Sequence, residues 1–135
     1  DFYESYSKFG LPLGEAFQLR DDVLGVFGDP KTTGKPAGDD LREGKRTVLI
    51  AVTMENATPD ERQIITSSLG KPDLSTESVS ALQEIIVRSG ALNEVEKLIT
   101  ELTHTAISAL QDSPVNGKIV KVLEEMAIIA TQRSV

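Results

Sequence analysis

GEAFQLRDDVLGVFGDPKTTGKPAGDDLREGKRT, residues 14–47, decides how this chain folds. Its first half carries apolar residues at helical spacing. Ala16, Leu19, Val23 and Val26 make one row, and Leu13, Phe17 and Leu24 make another. A helix apolar on nearly all sides is expected to be buried, so Asp21 and Asp22 are expected on a central element. Residues three or four apart share a helix face, which puts Phe17, Gln18, Asp21, Asp22 and Gly25 along one flank. Buried carboxylates are unfavourable unless paired or bound to a cation. Two partners fit: a divalent ion such as Mg²⁺, which one or two carboxylates can hold while waters and phosphate oxygens complete its shell, or a basic group such as Arg20.

Gly28-Asp29-Pro30 stops the helix, a permissive residue being followed by a helix breaker. Residues 28–46 then form a loop of about 19 residues, where about 4–6 is usual, and such loops tend to be functional. Lys35 and Lys45 could supply point charges to a diphosphate, and the loop glycines would let backbone amides approach it. Loop motion would fold these groups over a ligand. The loop's basic residues (Lys31, Lys35, Arg42, Lys45, Arg46) nearly balance its acids (Asp29, Asp39, Asp40, Glu43), which an ordinary solvated loop would also show.

Outward from this stretch the pattern stays helical. Phe2, Tyr6 and Phe9 lie at helical spacing, and Gly10 and Pro12 predict a kink or short break near residues 9–12. A helix resumes at Thr47 and stops near Ala57. Thr58-Pro59-Asp60-Glu61 reads as an N-cap, a first-turn proline and two acids on the positive helix end, and this helix closes at Gly70. Ser75 caps a helix that ends at Gly90. Residues 91–110 place Leu92, Val95, Leu98, Ile99, Leu102, Ala106 and Leu110 on one side. A last helix over residues 115–131 is expected to bury Ile119, Val122, Leu123, Met126 and Ile129. His104 reads as structural, and Glu124-Glu125 as a solvated face. There is no alternating strand pattern, so the fold class is all-α.

The 135 residues, 39 % of them hydrophobic, suit a single helical unit with a packed core. The chain starts at Asp1 inside a helical pattern, without an initiator methionine or a signal segment, as a fragment would. A net charge of −7 argues against nucleic-acid binding. With no cysteine and one histidine, any metal should be held by oxygen. No apolar run approaches the ~20 residues of a membrane span.

Read as a string, residues 17–47 closely resemble the second aspartate-rich region of the trans-type polyprenyl diphosphate synthases, the farnesyl and geranylgeranyl diphosphate synthase family, and its bacterial members above all. The resemblance implies the C-terminal half of an isoprenoid-synthase helical bundle, with residues 28–46 as the active-site loop. It implies a cytoplasmic, usually homodimeric, Mg²⁺-dependent prenyltransferase that joins an allylic diphosphate to isopentenyl diphosphate. Asp21 matches the acid that binds a bridging Mg²⁺, with Asp22 beside it. Phe17 and Gln18 match cavity-lining positions, and Lys35 a lysine that grips the allylic diphosphate. Asp39 and Lys45 match loop positions at the diphosphate end, Asp39 through metal-bound water. The family motif commonly carries a third acid where this chain has Gly25, which leaves metal binding to Asp21, Asp29 or water. The first aspartate-rich motif and the isopentenyl-binding basic residues belong upstream of Asp1, so the chain is expected to be inactive alone. The alternative is a non-catalytic regulatory or partner subunit of such an enzyme.

Overall fold

The computed structural model describes residues 2–114 and 117–132, apart from the side chains of Phe2 and Thr32. Phe2's place in the first apolar row and the start of the last helix at residue 115 lie outside the described residues. All regular structure among the described residues is helical: α1 (Phe2–Phe27), α2 (Pro30–Thr33), α3 (Asp39–Glu43), α4 (Val48–Asn56), α5 (Pro59–Ser68), α6 (Thr76–Arg88), α7 (Ala91–Gln111) and α8 (Gly117–Thr131). The chain divides into two compact units. One takes the chain up to Arg20 together with the part from Glu96 onward, and the other takes Asp21–Val95.

In the first unit Phe9, Ala106, Leu110 and Ala127 form a core, with Leu13, Val120 and Leu123 packed against it. The break expected near Pro12 is absent, and α1 runs through it. Buried Phe9 and Ala16 anchor the helix on both sides of the proline. Lys8, whose carbonyl loses its helical donor to Pro12, is exposed, so water can serve that oxygen. Arg20 is almost fully buried. Its Nη1 and Nη2 donate to the two carboxylate oxygens of Glu96, both at 2.7 Å, and its Nε donates to the Thr131 carbonyl at 2.7 Å. One guanidinium therefore ties three helices and satisfies an end carbonyl of α8.

The expected buried row of α8 is corrected. Ile119, Val122, Met126 and Ile129 are exposed, while Ala127 and Thr131 are buried and Val120 and Leu123 partly so. Two apolar stripes run along this helix, and periodicity does not choose between them. The Arg20 bond to Thr131 and the Gln111 bond to Glu124 (3.1 Å) hold the other face inward. On α7 the expected row is met by Val95, Ile99, Ala106 and Leu110, although Leu98 is exposed, and so is His104.

In the second unit α6 packs against α4 and α5 through Leu82, Ile85 and Ile86, with Leu49, Ile50 and Ile65 also in the core. The helix starts follow the sequence reading. Thr47 accepts from Ile50 N, Ser75 from Ser78 N, and Thr58 with Glu61 forms a complete capping box. Gln83 donates to the Val26 carbonyl at 2.7 Å and so holds the end of α1 to α6. The loop is not structureless: α2 and α3 lie within it, each ended by a glycine with positive φ.

Candidate functional site

The Ala16, Leu19, Val23 and Val26 row of α1 is buried as expected. The opposite row is not: Phe17 is exposed, and Leu13 and Leu24 are half-buried. The helix therefore has a side partly open to solvent at Phe17. Asp22 is buried and Asp21 half-buried; Phe17 and Gln18, both exposed, fall in the first unit. The hydrogen bonds described for Arg20 go to Glu96 and Thr131.

Asp22 meets the loop. Lys45 Nζ lies 4.0 Å from Asp22 Oδ1 and 3.8 Å from Asp40 Oδ2, and its side chain is partly open to water. These separations exceed a hydrogen bond, so the ammonium is held loosely between two carboxylates. Asp40 Oδ2 is buried and accepts no hydrogen bond. A buried carboxylate oxygen without a donor is costly, and a cation relieves it.

Asp40 reaches this position through α3. Leu41, next in sequence, is buried, and Gly70 N donates to its carbonyl at 2.9 Å. Arg42 donates to the Leu74 carbonyl (3.2 Å) and the Ala37 carbonyl (3.0 Å). Gly38 opens α3 at φ +76°, and a side chain there would run into Val79. At Gly25 an added Cβ would overlap the Asp40 carboxylate, with Oδ1 at 2.8 Å and the other atoms nearer still.

The sequence reading named Asp39 and Lys45 in the loop. The structure brings Lys45 to the aspartates, with Asp40 as its loop partner. The missed Asp40 had one signal in the sequence, a glycine at position 25 inside an apolar helix, where no turn calls for one. Asp29, the suggested substitute ligand, caps α2 by accepting from Lys31 N at 3.0 Å. Lys35 follows α2 with its side chain exposed. Among the described residues no three acidic or histidine side chains converge as a metal cluster of their own. The donors are nevertheless oxygen carboxylates, one with a buried oxygen that accepts no hydrogen bond, and Mg²⁺ commonly takes only one or two such ligands, so they fit this ion.

The polyprenyl synthetase family model matches residues 1–86. The chain belongs to that family. Over 134 residues it is 38 % identical to the geranylgeranyl diphosphate synthase of Saccharolobus solfataricus, covering 98 % of this chain and 40 % of that protein. It is 46 % identical over 89 residues to the geranylfarnesyl diphosphate synthase of Aeropyrum pernix, covering 66 % of this chain and 27 % of that protein. The crystal structure of geranylgeranyl pyrophosphate synthase from Corynebacterium glutamicum, complexed with isoprenyl diphosphate and magnesium, superposes with a TM-score of 0.92 at 42 % identity. That match covers 97 % of this chain and 37 % of the solved one. The chain thus spans about 40 % of the length of the first of these relatives. No helix among the described residues is long and apolar enough to cross a membrane.

Proposed function

We propose that this chain supplies the diphosphate-binding wall of a prenyltransferase that condenses an allylic diphosphate with isopentenyl diphosphate. The observation that carries the proposal is the convergence of Asp22, Asp40 and Lys45, with the buried Asp40 Oδ2 near Lys45 Nζ but accepting no hydrogen bond. The names of the relatives support it, as does the ligand set of the Corynebacterium glutamicum enzyme.

Asp22 and Asp40, which flank Lys45, are the proposed magnesium-holding residues, and Asp21 and Asp39 are assigned to the metal on the resemblance alone. When bound, the ion would offset diphosphate charge and favour departure of pyrophosphate. Lys45 and Lys35 bind the diphosphate oxygens as point charges. Negative charge grows on those oxygens as the allylic C–O bond breaks, so the lysines act most strongly in the transition state. The isopentenyl double bond then attacks the allylic cation, and loss of a proton gives the longer diphosphate. Phe17 and Gln18 are assigned to substrate binding on the resemblance alone, and so are the homodimer and the cytoplasmic location. The chain spans about 40 % of the length of its Saccharolobus solfataricus relative, and by itself it is proposed to be inactive.

The test is steady-state kinetics on the complete polypeptide. Asp21→Ala and Lys35→Ala should each lower kcat/KM by about 10² or more, comparable with removing one electrostatic contact to a transition state. Near-normal kinetics in both variants would overturn the proposal. A complete polypeptide that turns nothing over but raises the activity of a partner synthase would favour a regulatory subunit.

A further inference from the structure

α1 contains three glycines, and they differ. A Cβ at Gly10 or Gly14 would meet nothing within 4 Å. A Cβ at Gly25 would overlap Asp40's carboxylate. Gly25 is not among the glycines with positive φ, so backbone freedom does not explain it. In a helix interior glycine is less favourable than alanine, so the sequence forgoes helix stability at this point. What the missing side chain provides is space, and Asp40 fills it.

We infer that Gly25 is a positioning residue: its bare Cα is the slot that seats Asp40's carboxylate beside Asp22 and Lys45. The inference rests on the proposed function for its ligand, while the seating itself rests on geometry alone. Three ties hold the α3 backbone that carries Asp40. Leu41 is buried, its carbonyl accepts from Gly70, and Arg42 holds the carbonyls of Leu74 and Ala37. A methyl group at position 25 must therefore displace the carboxylate or lift α3. Either movement separates Asp40 from Lys45, now 3.8 Å apart. The carboxylate at this point of the helix thus arrives from α3, and the size of residue 25 decides whether it can.

The test is a double-mutant cycle on the complete polypeptide with Gly25→Ala, Asp40→Gly and the pair combined. Thermal unfolding without metal is the first readout. Gly25→Ala alone should lower Tm by several degrees. In the Asp40→Gly background it should raise Tm, because the overlap is gone and alanine is the better helix former. The second readout is Mn²⁺ binding in the presence of inorganic pyrophosphate, followed by electron paramagnetic resonance. Gly25→Ala should weaken it about tenfold or more alone and leave it unchanged in the Asp40→Gly background, where the carboxylate is already absent. The same Tm change in both backgrounds would overturn the seating. Unaltered Mn²⁺ affinity in Gly25→Ala would overturn its bearing on the ligand, leaving a packing role only. Should Gly25→Ala not fold, recovery of folding in the double variant is the expected result and its absence the refutation. Should the wild-type chain bind neither probe, the ligand part falls with the proposed function, and the Tm comparison still decides the seating.

Discussion

The two halves of the 28–46 loop are built alike and held differently. Each is a short helix ended by a glycine. The hydrogen bonds described for α2 are local: Asp29 caps it through Lys31 N, Thr33 N donates to the Asp29 carbonyl at 2.9 Å, and Gly34 N to the Pro30 carbonyl at 2.9 Å. α3 is held across the sequence by Leu41 in the core, by Gly70 N on the Leu41 carbonyl and by Arg42 on Leu74. Local caps stabilise a turn wherever it lies, whereas distant bonds and buried side chains fix its place. Asp40 and Lys45 therefore stand on the docked half, and Lys35 on the half whose described hydrogen bonds are local. Such a division suits a site in which part of the diphosphate cradle is preformed and part closes over the ligand.

The largest expected effect comes from Leu41→Ala. Truncating this buried residue should cost about 2–5 kcal/mol in chemical denaturation, whereas Thr33→Ala on the other half should stay within about 0.5 kcal/mol. Equal losses would erase the contrast. Gly38→Ala comes next, at about 1–3 kcal/mol, since it forces an L-residue into a left-handed conformation against Val79. Arg42→Ala should cost about 1.5–3 kcal/mol through two lost charge-assisted bonds. It should also speed amide hydrogen exchange at Lys45, whose N–H bonds the Asp40 carbonyl at 3.0 Å, while leaving Gly34 unchanged. Exchange that rises equally at both would mean the halves open together.

The smallest effect sharpens the same contrast at α5, where one side chain serves both kinds of tie. Glu61 accepts from its cap residue Thr58 N at 3.0 Å and pairs with Arg88 of α6. The Thr58 backbone N–H, and then the Arg88 guanidinium, hold its pKa below the ordinary glutamate value. A depressed folded pKa gives stability that is present above the unfolded pKa and lost as pH falls through the folded one. Glu61→Ala should therefore lower Tm slightly at neutral pH, with the deficit closing in acid. A deficit independent of pH would assign the loss to packing.

Much of this was legible in the chain itself. Thr47, Thr58 and Ser75 announce helix starts because caps are local chemistry, with the partners two or three residues away. The 17–47 stretch pointed to its family for the same reason, a dense run of chemistry-bearing residues at fixed spacing. Arg20 was different. Glu96 and Thr131 lie far along the chain, and no spacing rule connects them to it. The inward face of α8 was equally hidden, because that helix offers two apolar stripes and its neighbours choose.

By itself the sequence determined that the chain is helical, where most helices begin, and that acids and lysines share one segment. All of these follow from interactions within a turn or two. Only the tertiary structure decided that Lys45 lies near both Asp22 and Asp40, that Arg20 binds Glu96 and Thr131, and that Gly25 is a space already filled. Those outcomes depend on which distant groups the packed chain brings within a few ångströms, and a carboxylate's partner is settled by proximity in space, not along the chain.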